Sequence, residues 1–247
     1  MRVIVRQDYE DVSHEAAYLV ARQLQVKPNS VLGLPTGETP IGMYAELSRL
    51  YKRGSASFSQ ATTFNLDEFL GLPAVHPQSC HYYMLEHLLP YVDLEPSSAF
   101  ILDGMTSDVD AECLEYENAF TQRGGIDLQV LGIGLNGHIG FNEPGTDWET
   151  RVALARLSDV TRRREVKRFG GLENVPDYAL TMGIKAIMLS RSILLLATGK
   201  EKAAILLKAL HGPITPEIPA SVLQLHPDVT VVVDETASQG LGPCLDL

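Results

Sequence analysis

Short apolar runs alternate with longer stretches in which apolar residues recur every three or four positions, and this alternation extends along almost the whole chain. Val3-Ile-Val5 predicts a first strand. Val12, Ala16, Leu19, Val20 and Leu24 keep helical spacing across residues 11–24, and Lys27-Pro-Asn-Ser30 punctuates the end before Val31-Leu-Gly-Leu34 starts a second strand. The same reading predicts a helix over residues 41–52, a strand ending near Phe64, helices over 82–89 and 108–122, and a buried strand over 130–133. Ser192-Ile-Leu-Leu-Leu-Ala197 and Val229-Thr-Val-Val-Val233 predict two more buried strands, separated by a helix over 200–210. Strands that read as continuous apolar runs are buried on both faces. Alternation of such strands with helices predicts an α/β protein with an open, mostly parallel central sheet and helices on both faces, of Rossmann-like type.

No repeat, low-complexity tract or composition break divides the 247 residues, so a single domain over 1–247 is expected. An apolar content of 45% supports a sizeable core, and a net charge of −11 disfavours nucleic acid or an anionic membrane as the partner and points to small molecules. Cys80, Cys113 and Cys244 are far apart and lack CxxC spacing, so they read as reduced, incidental thiols, with no disulfide framework and no zinc site. The start Met1-Arg-Val-Ile-Val-Arg6 is strand-like and unlike a signal peptide, and no apolar run approaches about 18 residues. A cytoplasmic location is expected.

Four strand ends carry candidate chemistry, as expected where turns after parallel strands face the ligand crevice. Leu34-Pro-Thr-Gly-Glu-Thr-Pro40 lies between a strand and a helix, where backbone N–H groups and a helix N-terminus suit an anion such as phosphate. Phe64-Asn-Leu-Asp-Glu-Phe69 places two adjacent carboxylates after a strand; Asp67 and Glu68 cannot face the same way, so one general base and one structural acid is the natural division. Gly134-Leu-Asn-Gly-His138 puts Asn136 two residues before His138 and Glu143 five after it, bringing a base, an orienting carboxylate and an amide donor into one glycine-rich turn. In Thr198-Gly-Lys-Glu-Lys-Ala203, Lys202 enters the first turn of a helix, where the dipole disfavours a cation and a bound anion would offset it. Arg162, Arg163, Arg164, Lys167 and Arg168 crowd one segment of an otherwise acidic chain. With Phe169-Gly-Gly171 next to them, residues 150–182 are the candidate for a mobile lid over an anionic ligand.

Taken together, the segments around Thr36, Asp67 and His138 resemble the glucosamine-6-phosphate deaminase family, as do Tyr178-Ala-Leu-Thr-Met-Gly-Ile184 and Pro219-Ala-Ser-Val-Leu-Gln-Leu-His-Pro227. The resemblance implies conversion of glucosamine 6-phosphate and water to fructose 6-phosphate and ammonia, with no metal or organic cofactor. It implies Asp67 as the carboxylate that moves a proton between C2 and C1, His138 as the ring-opening acid and base, Glu143 as its partner and Asn136 as an orienting group. Phosphate carries over to Thr36, Gly37, Glu38, Thr39, Lys202 and Lys167. Lys167 stands where the family usually has arginine, with Arg164 and Arg168 as alternative cations; Asn136 stands where some members have aspartate. Val152-Ala-Leu-Ala155 replaces the basic residues that some members use for allosteric control, so no activation by an amino-sugar phosphate is expected. The resemblance leaves monomer and homo-oligomer open. The rival readings are a 6-phosphogluconolactonase, which shares an acidic pair and a Gly-x-His turn, and a non-catalytic sugar-phosphate sensor.

Overall fold

A computed structural model describes residues 1–241; Cys244 lies outside the described residues. In chain order the strands and helices are β1 (Arg2–Arg6), α1 (Tyr9–Val26), β2 (Val31–Leu34), α2 (Ile41–Lys52), β3 (Thr62–Asn65), β4 (Asp67–Phe69), α3 (Cys80–His87), β5 (Ala99–Phe100), α4 (Val109–Thr121) and β6 (Leu128–Gly132). There follow β7 (Ala153–Arg156), α5 (Asp159–Phe169), β8 (Tyr178–Thr181), α6 (Ile184–Met188), β9 (Ser192–Ala197), α7 (Ala203–His211) and β10 (Val229–Asp234). Side-chain caps start the helices where the polar pattern breaks: Asp8 accepts from Asp11 N–H at α1, Ser79 from Tyr82 N–H at α3, and Asp108 from Ala111 N–H at α4.

Seven strands form one sheet in the order β1-β10-β9-β6-β2-β3-β5, all parallel. Because side chains alternate along a strand, the central strands feed two cores. Leu32, Leu128, Val130, Leu194, Leu196 and Val232 pack on one face with the buried stripes of α1, α2 and α3. Leu131, Ile193, Leu195, Val231 and Val233 pack on the other with α4, α6 and α7. The expected open parallel sheet with helices on both faces is therefore present. From β2 the chain runs outward through β3 and β5, then returns to β6 on the other side of β2 and continues through β9 and β10. The strand order thus reverses between β2 and β6, and the turns that leave these two strands border the crevice where open α/β sheets bind ligands. Gly33 lies opposite Gln129 on β6, and a Cβ on Gly33 would lie 2.1 Å from the Gln129 side-chain oxygen.

The sequence pattern did not show a second, antiparallel sheet, β4-β8-β7, which pairs Asp67 with Thr181 and Phe69 with Ala179. Residues 150–182, the candidate lid, therefore include two strands of this sheet, and α5 lies between them. Among the described residues no helix is long and apolar enough to cross a membrane.

Candidate active site

The turn after β2 is held from outside by three tyrosines. Tyr44 donates to the Pro35 carbonyl at 2.6 Å, Tyr83 to that of Gly37 at 2.7 Å, and Tyr9 to that of Glu38 at 3.1 Å. Gly37 has φ +106°, a conformation that glycine adopts without strain. With its carbonyls engaged from outside, the turn is fixed ahead of α2.

The adjacent carboxylates after β3 divide the work as their opposite directions on a strand require. Glu68 is buried and structural: its Oε1 accepts from the Phe69 and Cys80 N–H groups at 2.8 and 2.9 Å, and its Oε2 from His81 N–H at 2.9 Å, which pins the N-terminus of α3. Asp67 is 6% exposed, and its one hydrogen-bond partner among the described residues is the Cys80 thiol, 3.6 Å from Oδ1. Burial pushes the Asp67 carboxyl up from 3.8 to about 7; the charge on Glu68 adds to the rise, while the Cys80 thiol and Arg168 oppose it. Cys80, read from sequence as incidental, is buried against this carboxylate and lies 3.6 Å from the Thr36 hydroxyl.

In the turn after β6, Gly134 leaves the space that the His138 ring fills: a Cβ there would lie 2.3 Å from the ring. His138 Nδ1 is 3.7 Å from Glu143 Oε2, and Asn136 Nδ2 donates to the same oxygen at 2.7 Å. The other oxygen, Oε1, accepts from Ser158 N–H at 3.1 Å and from the Thr161 hydroxyl. Burial raises the Glu143 carboxyl, but the His138 ring beside it, the hydrogen bond from the Thr161 hydroxyl and that from Ser158 N–H outweigh it and hold the group down at about 2. Glu143 is thus a fixed anion beside the imidazole. The nearness of Asn136, His138 and Glu143 in this turn was visible locally in sequence. Ser158 and Thr161 were missed; their signal was Ser158-Asp-Val-Thr161, the cap of α5, in which Ser158 Oγ accepts from Thr161 N–H.

The fourth strand end supplies a cation. Lys202 ends a short 3₁₀ turn over Lys200–Lys202, is 4% exposed, and donates to the Ile133 carbonyl at the exit of β6. Burial, and after it the Arg164 charge, pull its pKa down to about 8, against the opposing pull of Glu201 and Glu38. A cavity of about 340 Å³ opens beside it, lined by Tyr9, Glu38, Thr39, Arg164, Thr198, Glu201 and Lys202. Three hydroxyls, of Tyr9, Thr39 and Thr198, and the two cations Arg164 and Lys202 there suit a phosphate. Glu38 and Glu201 bring carboxylates to the same lining, so from Glu38 only the backbone N–H suits an anion. Of the basic residues on α5, Arg164 lines this cavity. Lys167 is exposed further along the helix and is not among the lining residues. Arg168 is engaged elsewhere: it donates to the Gln78 side-chain and backbone oxygens at 2.6 and 2.7 Å and lies over the Phe69 and Phe169 rings. Arg162 pairs with Asp177 at 3.0 Å. Among the described residues no cluster of His, Cys, Asp and Glu suits a metal ion.

The sequence profile of a family described as glucosamine-6-phosphate isomerases/6-phosphogluconolactonase matches residues 7–232. The chain belongs to that family. Within the glucosamine-6-phosphate isomerase/6-phosphogluconolactonase family it is similar to the glucosamine-6-phosphate deaminase of Clostridium botulinum (strain Kyoto / Type A2), with 48% identity over 98% of this chain and 99% of the relative. It is also similar to that of Thermoanaerobacter pseudethanolicus, with 45% identity over 96% of this chain and 94% of the relative. A solved structure of a monomeric glucosamine-6-phosphate deaminase matches with a TM-score of 0.94 and 45% identity, covering 96% of this chain and 99% of its own. The 6-phosphogluconolactonase of Trypanosoma brucei shares the fold with a TM-score of 0.78 at 19% identity, over 98% of both chains.

Proposed function

We propose that the chain converts glucosamine 6-phosphate and water to fructose 6-phosphate and ammonia, as a cytoplasmic enzyme of amino-sugar breakdown acting as one domain. The observation that carries this reading is that a buried carboxylate titrating near neutrality, a histidine paired with a fixed anion and a cavity lined by Lys202 and Arg164 all follow the ends of the neighbouring parallel strands β9, β6, β2 and β3. The phosphate sits in the cavity, held by Lys202, Arg164 and the backbone N–H groups of Glu38 and Thr39, with Thr36 and Gly37 preceding them in the same turn; Lys167, exposed further along α5, is the alternative cation.

Ring opening moves a proton from the anomeric hydroxyl to the ring oxygen. His138 performs it, with Glu143 beside Nδ1 stabilising the protonated ring and Asn136 holding Glu143. Asp67 then takes the C2 proton of the open aldose and returns it to C1. A carboxyl titrating at about 7 is both ionised enough to accept that proton and acidic enough to release it. Loss of the C2 proton leaves an enolamine with its nitrogen on C2; the return of the proton to C1 makes this the C2 imine, and addition of water at C2 and expulsion of ammonia leave the ketone of fructose 6-phosphate.

The test is ammonia release by the purified chain from glucosamine 6-phosphate and, separately, from free glucosamine, with 6-phosphogluconolactone hydrolysis followed in parallel. Ammonia from the phosphorylated sugar alone is expected. Lactone hydrolysis without ammonia would establish the lactonase, and silence on all three substrates would leave a sensor.

A further inference from the structure

One side chain in the first turn of α5 touches both members of the His138–Glu143 pair. Thr161 is 5% exposed, and its hydroxyl donates to Glu143 Oε1 while lying 3.4 Å from His138 Nδ1. A hydroxyl has one proton and two lone pairs. With the proton given to Glu143, its lone pairs face His138 Nδ1 and the Ser158 hydroxyl, which donates to Thr161 Oγ1 at 3.2 Å. Nδ1 then has two acceptors around it, Thr161 Oγ1 and Glu143 Oε2 at 3.7 Å, and both favour a proton on Nδ1. The neutral imidazole keeps its lone pair on Nε2, the nitrogen left to exchange protons with a substrate.

Arg164, three residues beyond Thr161 on the same helix, lines the cavity with Lys202. The N-terminal end of that helix is fixed to Glu143 at two points, through Ser158 N–H and the Thr161 hydroxyl. A phosphate that draws Arg164 inward therefore acts on the same rigid turn that sets the histidine.

We propose that Thr161 is a positioning residue for ring opening: its hydroxyl fixes the Nδ1–H tautomer and orientation of His138, and through the first turn of α5 it couples phosphate capture at Arg164 to the readiness of that histidine. This rests on the reading of His138 as the ring-opening group.

The experiment compares Thr161→Val, which keeps the volume and removes the hydroxyl, with Thr161→Ser, which keeps the hydroxyl. On glucosamine 6-phosphate, Thr161→Val lowers kcat by about 10- to 100-fold, the scale set by loss of alignment at a reacting group. KM changes less than about threefold, and binding of the open-chain amino alcohol phosphate made by reducing the substrate aldehyde is retained, because that probe needs no ring opening. Thr161→Ser recovers most of kcat. Nitrogen NMR of the His138 ring shows the Nδ1–H tautomer in the parent protein and a mixture in Thr161→Val. Combined with Arg164→Ala, Thr161→Val gives losses that are not additive.

A parent-like kcat and tautomer in Thr161→Val, or equal damage in the Ser and Val variants, overturns the positioning role. Additive losses with Arg164→Ala overturn the coupling. Undiminished turnover of closed glucosamine 6-phosphate by His138→Gln overturns the ring-opening reading itself, whatever Thr161 does.

Discussion

Asp67→Asn should make the protein more stable while removing its chemistry, and the gain should grow with pH. In the folded chain, burial holds the Asp67 carboxyl at about 7 against an ordinary value of 3.8. Between these values the folded state binds a proton that the unfolded chain has released. Unfolding free energy therefore falls as pH rises, by up to about 1.4 kcal/mol per pH unit. Below about pH 4 both states are protonated and nothing is lost; above about pH 7 the full cost of ionising a buried group is present. The span from 3.8 to about 7 corresponds to at most about 4 kcal/mol. Asparagine keeps the shape and can still accept from the Cys80 thiol, but it has no proton to lose.

The assay is urea unfolding of both proteins from pH 4 to pH 9, read as the difference between their free energies, which cancels the titrations that both share, Glu68 among them. The difference should rise in favour of Asp67→Asn between pH 4 and pH 7 and level off above. Exchange of the substrate C2 proton with solvent should be lost at every pH. In the parent, kcat/KM should fall below pH 7, with roughly a tenth of Asp67 ionised at pH 6. A flat difference curve, or one favouring aspartate as pH rises, would show a solvated carboxylate or one held as an anion by a cation, and the account of Asp67 as a base tuned by burial would fail.

Removing the Lys202 ammonium by Lys202→Ala should raise KM for glucosamine 6-phosphate about 10- to 100-fold and reduce the preference over free glucosamine; unchanged selectivity would place the phosphate elsewhere. Since burial has lowered the Lys202 pKa to about 8, its charge is lost as pH rises through that value, so KM of the parent should climb above pH 8. Arg164→Ala should raise KM more than Lys167→Ala, because Arg164 lines the cavity and Lys167 does not; the reverse order would transfer the contact to Lys167. Gly134→Ala puts a methyl 2.3 Å from the His138 ring; kcat should drop about 100-fold with cooperative unfolding retained, and a parent-like kcat would show that the ring's position is not critical.

What could be read from the sequence depended on how far apart the partners lie along the chain. Leu194-Leu-Leu196 and Val231-Val-Val233 are buried on both faces of a parallel sheet, so their apolar continuity marks them without knowledge of their neighbours. Ala153-Leu-Ala-Arg156 alternates between half-buried and exposed positions with small side chains, and Asp67-Glu-Phe69 is a strand whose first two residues are acids, so neither carries that signal. Both are strands because each pairs with β8 about 25 or more than 100 positions away, a distance no local pattern encodes.

The same limit governs the candidate site. Asn136, His138 and Glu143 fall within one turn, and their relation was visible in their spacing. Lys167 is the cation the family resemblance points to; which face of α5 turns towards Lys202 is set by three anchors outside any motif. Ser158 and Thr161 fasten the start of the helix to Glu143, Arg162 pairs with Asp177, and Arg168 holds Gln78 and lies between Phe69 and Phe169. Those anchors leave Arg164, itself exposed, lining the cavity, and Lys167 exposed outside that lining. A cluster of five basic residues that looked uniform in sequence is therefore divided by packing into two that hold the helix and three that are exposed, of which Arg164 lines the cavity. Net charge alone is a poor guide to which of them meets the substrate.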